Sequence, residues 1–113
     1  MKNMYKSKII GMGYTVPENT ISNDDLSKIM DTSDDWIRSR SGINERRWAT
    51  DEITTSDLAY EASMEAIKNS KISPNDIDMI IVGTLSSDYF FPGVSAQLQE
   101  RLNLKGRLLC IYL

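Results

Sequence analysis

The chain has no histidine and a single cysteine, Cys110. The lone thiol excludes an internal disulfide, and with no imidazole to share coordination it argues against a structural zinc site. Long apolar runs are missing too. The basic start, Met1 to Lys8, leads into an apolar stretch cut by Gly11, Gly13 and Pro17, too short and interrupted for a signal peptide. No segment reaches the length needed to span a bilayer. There is no cationic surplus either: net charge is -3. A general nucleic-acid binder is usually basic overall, so any anion site here must be local. Together these point to a reducing, cytoplasmic setting, with no membrane and no nucleic-acid partner.

At 113 residues the chain has room for one domain, spanning 1–113. Folding would bury roughly two-thirds of the unfolded surface, which makes a modest core. With 41% hydrophobic and 26% charged residues, the composition is that of an ordinary globular protein rather than a disordered or fibrous one. There is no internal repeat and no low-complexity linker.

Lys8 to Tyr14 reads as a short buried strand ended by glycines and Pro17. Ser22 or Asn23 can cap a helix whose apolar residues Leu26, Ile29 and Met30 share a face, with Asp24 and Asp25 at its positive end. Thr32 or Ser33 caps a second, short helix that ends at Gly42 and carries Trp36 and Arg40 on one face. A long stripe of Leu58, Ala59, Ala62, Ala66 and Ile67 marks a helix from Thr54 or Thr55 to about Asn69, its small residues permitting close packing. Ser73 to Asp76 is a turn. Ile77 to Thr84 is a β-branched run suited to a central parallel strand. Pro92 opens a helix with Val94, Leu98 and Leu102 at four-residue steps, and Leu108 to Leu113 reads as one more strand. Helices alternating with strands predict an α/β layered arrangement.

Three patterns invite a functional reading. Gly11-Met12-Gly13 looks like the start of a dinucleotide fingerprint, but the third glycine would fall at Val16, and Pro17 blocks the required helix. The pairs Asp24-Asp25 and Asp34-Asp35 resemble catalytic or metal-binding carboxylates, yet both stand at helix starts, where carboxylates cap free backbone N–H groups. Trp36 is followed by Arg38, Arg40, Arg46 and Arg47, a concentrated cationic patch in an acidic chain that can stack a base and hold phosphates. The plain alternatives are a core anchor for Trp36 and a solvated charged face for the arginines.

Five blocks, Ile9 to Glu18, Asp31 to Ile37, Gly42 to Arg46, Ile80 to Thr84 and Phe91-Pro92, resemble in order and spacing the beta-ketoacyl-acyl-carrier-protein synthase III family. The match runs from about Lys8 to Gly106. The resemblance implies a partial thiolase-like fold, with layered helices on a mixed, mostly parallel sheet. It implies an acyltransferase of fatty-acid biosynthesis that condenses acyl-CoA with malonyl-acyl-carrier protein and works as a homodimer, using acyl-CoA as substrate and no separate cofactor. In the family, the tryptophan matching Trp36 stacks on the adenine of CoA, the threonine matching Thr32 shares that pocket, and the arginine matching Arg40 clamps the nucleotide. Ser41 stands where the family often has threonine and keeps the hydroxyl. Phe91 matches an aromatic residue that reaches across the dimer to line the partner's acyl pocket; its alternative is a buried loop anchor.

The family's chemistry also needs a cysteine nucleophile, a histidine and an asparagine. The expected nucleophile lies about ten residues past the glycine matching Gly106, in a small-residue turn that Arg107 to Leu113 does not contain. Cys110, between Leu109 and Ile111, reads as a small apolar side chain with a raised pKa, not as the nucleophile. The tail 107–113 diverges from the family and reads as out-of-register sequence, and the chain as the front part of a synthase without its reactive centre. The alternative is a non-catalytic module that binds CoA or a nucleotide, or packs against a synthase subunit. In either case apolar surface and a bare sheet edge are expected.

Overall fold

The computed structural model of the chain describes residues 6–105 and the backbone of 109–112. It divides into two compact units, one made of the amino-terminal segment up to Thr15 together with residues from Thr55 onward, the other of Val16–Thr54.

In the first unit, helix α3 (Thr55–Ser70) begins where two threonines precede Ser56 and Asp57. Its free N–H groups are capped from a distance: Asp88 accepts from the backbone N–H of Thr55 at 2.9 Å and of Ser56 at 3.1 Å. A 3-10 turn, Pro74–Asp76, capped reciprocally by Ser73 and Asp76, leads into strand β3 (Met79–Val82). Helix α4 (Val94–Arg101) follows, and strand β4 (Leu109–Tyr112) pairs with β3 in parallel, Ile80 opposite Cys110. The core is the α4 stripe predicted from four-residue steps: Val94, Leu98 and Leu102, joined by Leu104. Ala59, Tyr60 and Ile67 of α3 and Ile77, Ile80 and Val82 pack against it. Helix α4 therefore covers one face of the β3–β4 ladder, and α3 packs on α4.

Two expectations for this unit are corrected. Lys8 to Tyr14 forms no ladder among the described residues. A strand exists through its neighbour, and the contacts of this segment are with α3: the Tyr14 N–H donates to Glu65 at 2.9 Å, and the Asn69 amide donates to the Met12 carbonyl at 2.9 Å. Gly11 and Gly13 lie so close to α3 that a Cβ at Gly13 would stand 2.3 Å from the Ala62 carbonyl oxygen. The glycines serve close helix–chain approach, which Ala62 and Ala66 allow. β3, for its part, is buried on one face and not on both. Ile80 and Val82 turn inward, while Met79 and Ile81 are exposed, because the described helices lie on one side of the ladder. Exposed Ile9, Met12 and Tyr14 add further apolar surface.

The second unit holds β1 (Thr20–Ser22), α1 (Asn23–Ser27), α2 (Asp34–Ser41) and β2 (Glu45–Arg47). β1 and β2 pair antiparallel, with Ile21 opposite Arg46. Neither was read from sequence, since three-residue strands of mostly polar side chains carry no usable period. α1 has the capping box of Ser22 and Asp25, which accounts for the first carboxylate pair as helix-start chemistry. The helix is shorter than its apolar pattern implied. Leu26 is buried, but Ile29 and Met30 are exposed, so the three do not form one buried face. α2 has the predicted limits: Ser33 caps it and Gly42, at φ 72°, closes it in the left-handed conformation. No helix among the described residues is long and apolar enough to cross a membrane.

Candidate functional site

The residues singled out around Trp36 come together on and beside α2. Ser33 accepts from the Trp36 N–H at 3.2 Å, which fixes the first turn and the direction in which the indole leaves it. Trp36 is 55% exposed, so within this chain it is not a core anchor. Four residues on, the Arg40 guanidinium lies over the indole, its central carbon 5.0 Å from the ring centroid. That is cation–π range. Among the described residues Arg40 has no carboxylate partner, so its N–H groups point to no anion of the protein's own.

Asp31, Thr32, Ser33 and Trp36 line an open hollow of about 330 Å³. The Thr32 hydroxyl is buried and has no hydrogen-bond partner among the described residues. A buried hydroxyl left unpaired costs about 1–3 kcal/mol; because this oxygen is itself covered, a polar atom in the hollow would pair with it only after the Thr32 side chain turns outward. Ser41 is placed differently from its expected role. Its hydroxyl donates to the Ile37 carbonyl at 2.8 Å and accepts from the Ile43 N–H at 3.2 Å. It closes the end of α2, with one lone pair left for anything else.

The arginine cluster separates into distinct tasks. Arg38 faces Asp34 at 3.5 Å, both exposed, and such a pair is worth little. Arg47 donates to the Glu18 carbonyl at 3.0 Å. Arg46 donates to the side-chain carbonyl of Asn23 at 2.6 Å and so belongs to the unit's interior. Arg40 is left as the guanidinium that lies over the indole. Nearby, Lys28 beside Asp25, together with hydrogen bonds from Ser22, holds the Asp25 carboxyl well below the usual carboxylate range, and the Lys28 ammonium is raised in return.

Phe91 lies in the first unit, in the segment between β3 and α4, and is 90% exposed. Within this chain it is therefore not a buried anchor. Leu85, Tyr89 and Phe90 beside it are exposed as well. The segment is tied down by Asp88 on α3 and by Thr55, whose hydroxyl donates to the Ser86 carbonyl. The side chain of Cys110 falls outside the described residues.

No family profile matches the chain, but individual proteins do. Beta-ketoacyl-[acyl-carrier-protein] synthase III of Fusobacterium nucleatum is 57% identical over 97 residues, covering 86% of this chain and 30% of the relative. The enzyme of that name from Listeria monocytogenes is 54% identical over 98 residues, covering 87% and 31%. The crystal structure of 3-oxoacyl-[acyl-carrier-protein] synthase III from Aquifex aeolicus superposes with a TM-score of 0.87 at 42% identity, over 94% of this chain and 34% of that one. The chain is homologous to part of beta-ketoacyl-[acyl-carrier-protein] synthase III. It spans about a third of the length of the synthases it matches, and its α/β fold is the corresponding portion of theirs.

Sequence reasoning missed one residue of this unit. Asn23 was read only as a possible helix cap, yet it is 1% exposed and bonded on both sides of its amide. A buried polar hub gathers partners far apart in the chain, and nothing in local spacing announces it.

Proposed function

We propose that this chain carries the seat for the adenine nucleotide of coenzyme A in a beta-ketoacyl-[acyl-carrier-protein] synthase III. The observation that carries the reading is the pairing of an exposed indole with a guanidinium over it, beside a hollow that Trp36 and Thr32 line. A purine can stack on the indole face, Arg40 can donate to a phosphate oxygen while it keeps its own stacking contact, and Thr32 can pair with a polar edge of the base or the ribose. Ser41 serves the seat indirectly, by closing the helix that bears it.

On this reading the whole enzyme transfers the acyl group of acyl-CoA to a cysteine thiolate and condenses it with malonyl-acyl-carrier protein. It would act in the cytoplasm as a homodimer, with Phe91 lining an acyl pocket across the dimer. The sequence contains no histidine, so this chain is assigned the binding of CoA and not the condensation. A non-catalytic binding or subunit-interaction module is the competing reading; transfer of label from acetyl-CoA to Cys110, lost in Cys110→Ser, would overturn that reading and show that Cys110 is not inert.

Isothermal titration of the chain with CoA tests the seat. Wild type should give saturable heat. Trp36→Ala should lose it with an unchanged far-ultraviolet spectrum, because an indole this exposed contributes little to stability. No heat with wild type, or equal heat with both, sinks the proposal.

A further inference from the structure

The helix that carries Trp36 and Arg40 has eight residues and none of them is buried. Helices this short do not hold themselves together in water and depend on tertiary contacts. The apolar support is thin: in Val16–Thr54 the buried side chains are Asn23 and Leu26. A polar group therefore stands where a core residue would.

Asn23 is the first residue of α1, and its amide nitrogen donates twice, to Asp34 Oδ1 at 2.7 Å and to the Ile43 carbonyl at 2.8 Å. Its carbonyl oxygen accepts from Arg46 Nη2 at 2.6 Å, while Arg46 Nη1 reaches the Ile21 carbonyl at 3.4 Å. Asp34 opens α2, and Ile43 directly follows the glycine that closes it. One carboxamide thus fastens both ends of the helix, and through Arg46 it fastens them to the β1–β2 ribbon. The chemistry of the position is specific. A carboxylate and a carbonyl on one side require two donors, and a guanidinium on the other requires an acceptor. Neither aspartate at neutral pH nor leucine supplies that set. The surroundings also fix which way the amide points, since the flipped form would set oxygen against carboxylate and nitrogen against guanidinium.

We infer that Asn23 is a positioning residue for the coenzyme seat: by bonding Asp34 and Ile43 at the two ends of α2, it aims Trp36 and Arg40. The inference rests on the CoA-seat reading for its functional consequence, but not for its geometry. When the amide is removed, the indole and guanidinium lose their fixed aim, and the ligand must bear the cost of ordering them.

The test uses the full chain in a Trp48→Phe background, so that Trp36 is the one indole, with coenzyme A as the probe. Quenching of Trp36 emission gives affinity, its anisotropy without ligand gives the order of the helix, and far-ultraviolet circular dichroism reports folding. Asn23→Asp should weaken CoA by about tenfold or more at pH 7.5, the equivalent of losing one to two hydrogen bonds. It should also lower the unliganded anisotropy while the helical signal persists. The swap Asn23→Asp with Asp34→Asn rebuilds the contact to the start of α2 from the other side but leaves the Ile43 carbonyl without its donor, so it should recover part of the loss at pH 7.5 and not all of it.

Wild-type affinity in Asn23→Asp overturns the inference. So does a loss that the swap does not recover in any part, since that describes a residue needed only for folding. If Asn23→Asp does not fold, the swap decides: a folded swap that binds CoA within about tenfold of wild type supports the inference, and lost binding overturns it. If wild type itself shows no quenching, the seat reading fails. The positioning inference is then decided by anisotropy, which must fall in Asn23→Asp for it to stand.

Discussion

Replacing Gly13 with alanine should destabilise the first unit far more than a single methyl group ordinarily does. The added Cβ would meet the Ala62 carbonyl oxygen at 2.3 Å, the Ala66 nitrogen at 2.5 Å and the Glu65 Cβ at 2.8 Å. Two of these are backbone atoms of α3, so no side chain can swing aside. Ordinary carbon–oxygen contacts begin near 3.3 Å, and the amino-terminal segment would have to lift by about 1 Å. Forced overpacking of this kind costs about 1–3 kcal/mol.

The alternative response is for the segment to peel away. That forfeits the Tyr14–Glu65 and Asn69–Met12 hydrogen bonds, both 2.9 Å, at about 1 kcal/mol each. Both routes lead to about 2 kcal/mol, or roughly 1 M in a urea midpoint for a protein of this size. The control is Gly83→Ala, where a Cβ meets nothing within 4 Å and the change should stay within about 0.5 kcal/mol. Paired urea titrations decide the matter. A Gly13→Ala midpoint no lower than that of Gly83→Ala would show that the segment does not lie on α3.

Leu98→Ala removes the centre of the α4 stripe, a residue packed among Val94, Leu102 and Leu104. It should cost about 2–5 kcal/mol, read as a lower urea midpoint, while the exposed Met79→Ala should move it by less than about 1 kcal/mol. The Asp25 carboxyl is held below its ordinary value by Lys28 and then by Ser22. A depressed folded value gives stability that is present above about pH 4 and is lost as pH falls toward the folded value. Thermal midpoints should therefore decline on acidification below about pH 4, less steeply in Asp25→Asn. Because the ion pair is exposed, added salt should weaken this dependence.

Elements whose signals are local were legible in the sequence. The limits of α2 follow from a serine that can cap and a glycine that can take positive φ. The stripes of α3 and α4 follow from steps of three and four residues, and the 3-10 turn from Ser73 and Pro74. Elements defined by remote partners were not. Lys8 to Tyr14 has strand composition, but a ladder needs a neighbour, and its contacts are with a helix. Ile29 and Met30 have helical spacing after Leu26, yet no element of their unit covers them. The polar β1–β2 ribbon had no period to read.

The candidate site divides along the same line. Trp36 and Arg40 are four residues apart on a capped helix, so their stacking follows from helical geometry, and a reader of the sequence can find them. What holds that helix in place joins residues 11, 20 and 23 positions from Asn23, and only the folded chain displays it. In a unit whose buried apolar content is one leucine, burial cannot fix the helix, and bonding to a single amide can do so only if every donor and acceptor is matched. The observed distances of 2.6–2.8 Å meet that condition. The tolerance of the site should therefore be inverted: exposed Arg38 and Ser39 can vary freely, while the buried amide, which touches no ligand, cannot.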